Sequence, residues 1–314
     1  MNDFIRERAK RDFEKARMQE FIDRITGIFN PQATELLSLD DVKEIIKPRG
    51  EKYLGIKTVE IDKIVGSEGR YLDFNKKFLP KHSITRNRWE SIDSAHLKYK
   101  ELPPVKLYEV GGVYFVRDGN HRISVAKSRD AKFIDAEVTS LNSHIEITPD
   151  MTINDIIKKV IEYEYKDFKK KTRLKEILPD VDIYFSTPGR YDELYEHILV
   201  HKYYINMDKD YEIPFEEALI SWYKNVYKPI IDIIREEDIL DMFPDRTEGD
   251  LYIWSVRHWD DLKRQYGQNY DLKDAVTKFA REHGSSGNKP LKKFFKTILS
   301  PFLAIKKFFT NQNK

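Results

Sequence analysis

The amino-acid sequence predicts an α+β protein with a small mixed sheet between a helical N-terminal arm and an all-helical C-terminal domain. Three short runs rich in β-branched and aromatic residues, VKLYEV, VYFV and FIDAEV, are typical of strands. After Thr148, apolar residues recur at three- and four-residue steps, which is the period of an amphipathic helix. These patterns predict four regions: the arm at 1–50, the sheet domain at 51–145, the helical domain at 146–283, and a linker and tail at 284–314.

The arm is rich in helical patterns. Between Phe4 and Ile28, apolar residues lie among many charges at roughly helical spacing, which predicts one or two amphipathic helices. The following run, LSLDDVKEII, predicts a short helix that Ser38 or Asp40 could cap.

The sheet domain opens with GIKTVEIDKIV at 55–65, which predicts a strand that ends in a turn. After the glycine-bounded loop GSEGR, the run RWESIDSAHLKYKE has a helical pattern, and Pro103-Pro104 ends it before the strand VKLYEV. Gly111-Gly112 predict a tight hairpin turn into VYFV. A hairpin combined with helical crossovers predicts mixed strand directions.

Four segments beyond the sheet predict the helical domain. Cap-forming residues precede them, such as Thr152 or Asn154, the Thr187-Pro188-Gly189 turn, and Asp245 or Thr247. The segments are INDIIKKVIEYEYKDFKKK, RYDELYEHILVHKYYI, PFEEALISWYKNVYKPIIDIIRE and EGDLYIWSVRHWDDLKRQY.

Two histidines, His197 and His201, lie one helical turn apart and could chelate a metal ion. No His-Glu-x-x-His pattern accompanies them, and aromatic residues crowd the same helix. Packing is therefore the favoured interpretation.

Composition excludes several classes of protein. The chain has no cysteine, so it has no disulfide, no thiolate metal site and no cysteine nucleophile. Lys and Arg number 55 against 53 Asp and Glu, a net charge of +2, so no global field attracts nucleic acid. No apolar run approaches the ~20 residues of a membrane-spanning helix. We expect a cytoplasmic protein, soluble or peripheral at the membrane.

The segment VYFVRDGNHRISVA, residues 113–126, joins a strand to a helix through Asp-Gly-Asn-His-Arg, which we call the DGNHR segment (118–122). Gly119 permits a positive φ, and the amides of a helix beginning near Ile123 would add to an anion site. Arg122 offers a planar fork for phosphate oxygens, and His121 can donate a hydrogen bond or carry a proton. Asp118 could hold a cation such as Mg²⁺ or accept a proton.

An ordinary strand-to-helix turn is the alternative interpretation of this segment. Asp118 would then cap the helix, Asn120 would take the left-handed position, and His121 and Arg122 would lie on the surface. In the preceding GSEGR loop, Arg70 could clamp a second phosphate and Glu68 could act as a base, but the loop could equally be a flexible turn.

The run from VKLYEV through DGNHR to FIDAEV resembles the core of the ParB/sulfiredoxin superfamily, over roughly residues 55–140. Partition proteins of that superfamily bind CTP, and sulfiredoxins use ATP. Its free-serine kinases have a DG-x-HR loop, and they use an acidic residue in the loop after the first strand, for which Glu68 is the best match. The resemblance implies a nucleotide site at Gly119, His121 and Arg122, and it does not choose the reaction. We expect ATP or CTP with Mg²⁺ as the ligand. The expected binding residues are Gly119, Asn120, His121, Arg122, Ser124 and Arg70, and the expected catalytic residues are Asp118, His121 and Glu68.

Departures from the superfamily limit the choice of activity. No helix-turn-helix DNA reader is recognisable after residue 140, and the sulfiredoxin cysteine is missing. We expect a nucleotide-binding protein, as an ATP- or CTP-dependent phosphotransferase or hydrolase. The alternatives are a nucleotide-switched regulatory or DNA-binding protein, with DNA not favoured, and a scaffold without catalysis at the membrane.

The C-terminal tail is basic and amphipathic. From 289 to 309 its only charges are positive, and bulky apolar residues fall along one face if the segment is helical. Such a face could bind an anionic membrane, or it could pack on the body of the protein or on a second subunit in a homodimer.

Overall fold

A computed structural model describes residues 2–26, 35–207, 209–266 and 271–284. It confirms the predicted fold class, a mixed sheet followed by a helical region. The chain divides into two compact units, residues 1–160 and 161–314. The predicted tail surface at 289–309 lies outside the described residues.

The first unit is built on a six-stranded mixed sheet. Its strands are β1 (Leu37–Ser38), β2 (Glu51–Glu60), β3 (Ile64–Ser67), β4 (Val105–Val110), β5 (Val113–Asp118) and β6 (Phe133–Leu141). Their order across the sheet is β1-β3-β5-β4-β6-β2. β1 with β3, β3 with β5 and β4 with β6 are parallel, whereas β4 with β5 and β2 with β6 are antiparallel. The mixed directions and the hairpin at Gly111-Gly112 are as predicted.

Helices cover both faces of this sheet. They are α1 (Asn2–Thr26), α2 (Leu39–Ile46), α3 (Arg86–Leu97), α4 (Asn120–Ser128) and the start of α5 (Ile153–Thr172). α1 packs on α3, where the rings of Phe13 and Trp89 are 5.6 Å apart. Ser38 caps α2 by accepting a hydrogen bond of 3.3 Å from the amide of Asp41, which confirms the first of its two predicted caps.

Alternation along the strands sorts their side chains between two cores. Tyr108 and Phe115 pack with α2 on one face, and Leu107 and Val116 pack with Ile123 of α4 on the other. The residues that follow Val116 therefore alternate as well. Arg117 lies over the ring of Tyr108 at 5.6 Å, on the α2 face.

α4 begins earlier than the sequence pattern predicts. We expected its start near Ile123, but it starts at Asn120, and Gly119 is its N-cap residue with φ 111°. The amide of Ile123 already donates to the carbonyl of Gly119 at 3.0 Å. The reason is that only glycine adopts this φ without strain, so the chain turns at Gly119 and the next three residues form the first helical turn.

The second unit is helical, as predicted. Beyond α5 its helices are α6 (Leu174–Ile177), α7 (Arg190–Asn206), α8 (Phe215–Trp222), α9 (Lys228–Glu236), α10 (Glu248–Tyr266) and α11 (Leu272–His283). A π-helical turn, Tyr223–Tyr227, joins α8 to α9. α11 was not among the four predicted helical segments, although its buried residues Ala275, Val276, Phe279 and Ala280 recur at helical spacing.

The two histidines of α7 serve packing. His197 Nδ1 lies 3.1 Å from the hydroxyl of Tyr252, and His201 Nε2 lies 2.9 Å from the hydroxyl of Ser221. Within the described residues, no three or more His, Cys, Asp or Glu side chains form a group able to hold a metal ion. Nor does any helix of that part of the chain have the length and apolar character to cross a membrane.

Candidate functional site

The DGNHR segment meets the loop after β3 at one edge of the sheet. β3 and β5 are parallel neighbours with Ser67 opposite Val116, and the amide of Glu68 donates to the carbonyl of Val116 at 2.9 Å. Crevices at the carboxyl ends of parallel strands are common ligand sites. Here a cleft of about 620 Å³ opens between the DGNHR segment, the loop after β3 and the N-terminal half of α3.

Gly119 sets the shape of the cleft floor. Its φ of 111° is in the region that favours glycine, and a Cβ there would lie 2.6 Å from Val105 Cγ1. The close approach of these two residues brings the start of α4 against the start of β4.

The first turn of α4 lines the cleft without a side-chain cap. The opening amides of a helix have no intrahelical acceptors and carry the positive end of the helix dipole. Asn120 is only 8% exposed, and its Oδ1 has no hydrogen-bond partner among the described residues. The floor therefore presents backbone donors beside one buried acceptor.

Arg122 is already engaged. Its Nη1 donates to the carbonyls of Pro103 and Pro104, the second at 3.0 Å, and its Nη2 lies 2.5 Å from Oδ2 of Asp118. The side chain of Arg122 is 13% exposed and that of Asp118 is 65% exposed. Arg122, the predicted phosphate fork, thus links the first turn of α4 to the segment before β4 and to the end of β5.

Two further arginines line the cleft and make fewer contacts than Arg122 does. Arg70 contacts Asp73 through an ion pair of 3.4 Å and is more than half exposed. Arg88 of α3 is exposed and makes no hydrogen bond or ion pair within the described part of the chain. Both cations are therefore available to an anionic ligand at little cost in existing contacts.

His121 is a neutral side chain in this cationic setting. Burial, and then the charges of Arg70 and Arg88, lower the pKa of His121 to about 4. Its ring packs edge-on against Phe74 at 5.4 Å, and its buried Nδ1 has no hydrogen-bond partner among the residues described. At neutral pH the imidazole can donate one hydrogen bond and accept another.

Two predicted site residues lie elsewhere. Glu68 is 3.8 Å from Nζ of Lys43 on α2 and does not line the cleft. Ser124 is 1% exposed, and its hydroxyl accepts a hydrogen bond of 2.9 Å from the indole of Trp89. The structure brings the other predicted residues, Arg70, Asp118, Gly119, Asn120, His121 and Arg122, to one cleft.

The carboxylates that line the cleft are Asp73 and Asp118, and each contacts an arginine. Mg²⁺ in phosphate sites is often held by one or two carboxylates together with the phosphate oxygens of the ligand. This donor set fits Mg²⁺ only with a phosphate ligand present.

Sequence reasoning missed Arg88. In the sequence it is one charge on an amphipathic helix, and such residues are ordinarily solvated. Only the packing of α3 against α4, through Trp89 and Ser124, places it beside the DGNHR segment.

No family model and no curated protein matches the chain. One solved structure that it resembles is described as "Structure of the C2221 form of Pnob8-like ParB-N domain", with 14% sequence identity and a TM-score of 0.21, over 74% of this chain and 97% of that chain. A likeness with so low a TM-score carries no argument, so the predicted superfamily stays a prediction.

Proposed function

We propose that the cleft beside the DGNHR segment binds the phosphate groups of a nucleotide, ATP or CTP. The observation that carries the proposal is the meeting of Arg70 and Arg88 with the uncapped first turn of α4 in one cleft. Cations and helix amides together form a strong anion site. A volume of about 620 Å³ is in the range of small-molecule pockets.

The donors have distinct roles in this proposal. The guanidinium groups of Arg70 and Arg88 neutralise the phosphates from the open side, and the first amides of α4 hold one phosphate from the floor. The buried Oδ1 of Asn120 accepts a hydrogen bond from a hydroxyl or amino group of the ligand, which would give that acceptor its partner. His121 stays neutral and adds one donor without adding charge.

Phosphoryl transfer or hydrolysis is a further proposal that needs a base. Asp118 is the candidate within the cleft, and Mg²⁺ bound by Asp118, Asp73 and the ligand would stabilise the charge that develops during transfer. Glu68 is a weaker candidate because its carboxylate lies with Lys43. Nucleotide binding without phosphate release would favour the regulatory alternative.

The test is calorimetric titration of ATP, ADP and CTP, each with Mg²⁺, into the wild type and two variants. Arg88→Ala should weaken binding at least tenfold, because charge-assisted hydrogen bonds to phosphate contribute about 1.5–3 kcal/mol. Arg117→Ala is the matched control, since it removes the same charge one residue from the DGNHR segment but lies over Tyr108 on the other sheet face. The affinity of the control for each nucleotide should lie within about twofold of the wild-type affinity, as expected for an exposed charge outside the cleft.

The same samples then report turnover through release of inorganic phosphate. If the wild type binds none of the three nucleotides, the proposal is refuted. Equal weakening by Arg88→Ala and Arg117→Ala would also refute it, because the effect would then be one of general charge and not of the cleft.

A further inference from the structure

Asp118 and Arg122 form an ion pair within the cleft. Both belong to the DGNHR segment and line the cleft, and Oδ2 of Asp118 lies 2.5 Å from Nη2 of Arg122. A carboxylate oxygen at this distance occupies the place where an oxygen of a phosphate would meet the guanidinium.

We infer that Asp118 is a built-in competitor for the anion site: its carboxylate holds Arg122 until an anionic group of the ligand displaces it. The inference rests on the proposed function, because it concerns how the same cleft admits a phosphate. Asp118 then weakens the binding of an anion, which neither a turn residue nor a metal ligand would do.

The contacts of the two partners show which of them moves. The guanidinium of Arg122 is fixed on its other side by the carbonyls of Pro103 and Pro104, and it is 13% exposed. The carboxylate of Asp118 is 65% exposed, and no hydrogen bond other than the one to Arg122 holds it within the described residues. Rotation of the Asp118 side chain therefore opens the guanidinium, while Arg122 stays in place.

This exchange favours ligands with more negative charge. A carboxylate carries one charge, and a terminal phosphate carries about −1.5 to −2 at neutral pH, so a phosphate competes better for the same guanidinium. The released Asp118 then faces the phosphate as a bare carboxylate, which is the arrangement in which Mg²⁺ would bridge the two.

The test compares ATP binding to the full-length wild type, Asp118→Asn and Asp73→Asn, by calorimetry at fixed ionic strength in EDTA. EDTA removes any metal-binding role of Asp118 and leaves its contact with Arg122, together with the general repulsion between a carboxylate and a phosphate. Asp118→Asn should bind about two- to fivefold more tightly than the wild type, the factor that corresponds to about 0.4–1 kcal/mol for an exposed ion pair.

Asp73→Asn is the matched control, because Asp73 lines the same cleft and its removal changes the charge equally. Its contact with Arg70 is longer, 3.4 Å, so its effect should be smaller. Thermal unfolding of each variant without ligand shows that the fold is intact.

The outcomes separate the inference from the proposed function. Tighter binding by Asp118→Asn than by Asp73→Asn supports the inference. If the wild type binds ATP and Asp118→Asn binds no more tightly than Asp73→Asn, the inference is overturned and the proposed function stands. If the wild type binds no nucleotide in EDTA or with Mg²⁺, both are overturned.

Discussion

Replacement of Gly119 by alanine tests the geometry on which the cleft depends. Gly119 has φ 111°, and the new methyl group would lie 2.6 Å from Val105 Cγ1, 3.0 Å from Val105 Cβ and 3.2 Å from Nε of Arg122. Val105 is buried in the sheet core and cannot move away without disturbing β4. Backbone and packing therefore both oppose the substitution.

The size of the effect follows from these two causes. A side chain in the left-handed region costs about 1–2 kcal/mol, and an extra methyl group in a filled core costs about 1–3 kcal/mol. The lower entropy of the unfolded alanine chain offsets about 0.4–1 kcal/mol. The net loss in free energy of unfolding should be about 1–5 kcal/mol by this reasoning.

The assay is urea-induced unfolding, with hydrogen exchange of the peptides that cover β4, β5 and β6 as the probe. This probe assigns the free energy to the sheet unit. Gly69→Ala in the neighbouring loop is the matched control, because a Cβ there meets nothing within 4 Å. The control should change stability by less than about 0.5 kcal/mol. A loss below about 1 kcal/mol for Gly119→Ala would refute the argument, because it would show that the turn relaxes freely.

Two further predictions concern buried groups near the cleft. Trp89→Phe removes the indole donor of the 2.9 Å hydrogen bond to Ser124 and should lower the free energy of urea unfolding by about 1–3 kcal/mol. A double-mutant cycle with Ser124→Ala should show that the two substitutions are energetically coupled. Strictly additive effects would contradict the hydrogen bond. The pKa of His121 is about 4 in the folded protein and near 6.5 in the unfolded chain. Between these two pH values the unfolded chain binds one more proton than the folded protein does. This side chain therefore lowers the stability of the fold as the pH falls from 6.5 towards 4. His121→Gln should therefore lose less stability than the wild type between pH 7 and pH 5, and equal losses would show that His121 is not buried as a neutral ring.

Local pattern was enough to predict three of the six strands of the sheet. The runs that became β4, β5 and β6 are β-branched and aromatic, and the paired glycines 111 and 112 have the chemistry of a hairpin turn. β2 and β3 were harder, because the single strand predicted at 55–65 spans parts of both, and a short 3₁₀ turn at Ile61–Lys63 separates them. A break of this kind leaves the hydrophobic pattern almost unchanged.

Only some of the residues that line the cleft could be predicted from the sequence. The residues of the Asp-Gly-Asn-His-Arg run line the cleft, because a glycine at a strand-to-helix junction permits a sharp turn. The direction of a side chain depends on strand alternation, which a loop sequence does not reveal. Glu68 was expected in the cleft, but its carboxylate is close to Lys43 on α2.

The contacts of Arg122 differ from those that its place in the DGNHR segment predicts. Arg122 is the residue that pattern alone would assign to the phosphate, yet its terminal nitrogens contact Asp118 and two proline carbonyls. The less committed cations, Arg70 and Arg88, come from two other elements that tertiary packing brings to the same edge. The DGNHR segment therefore supplies the frame of the cleft and its backbone donors, while long-range packing supplies most of the charge available to a ligand. If this division is correct, loss of Arg88 should weaken ligand binding without loss of stability, and loss of Arg122 should reduce stability even when no ligand is present.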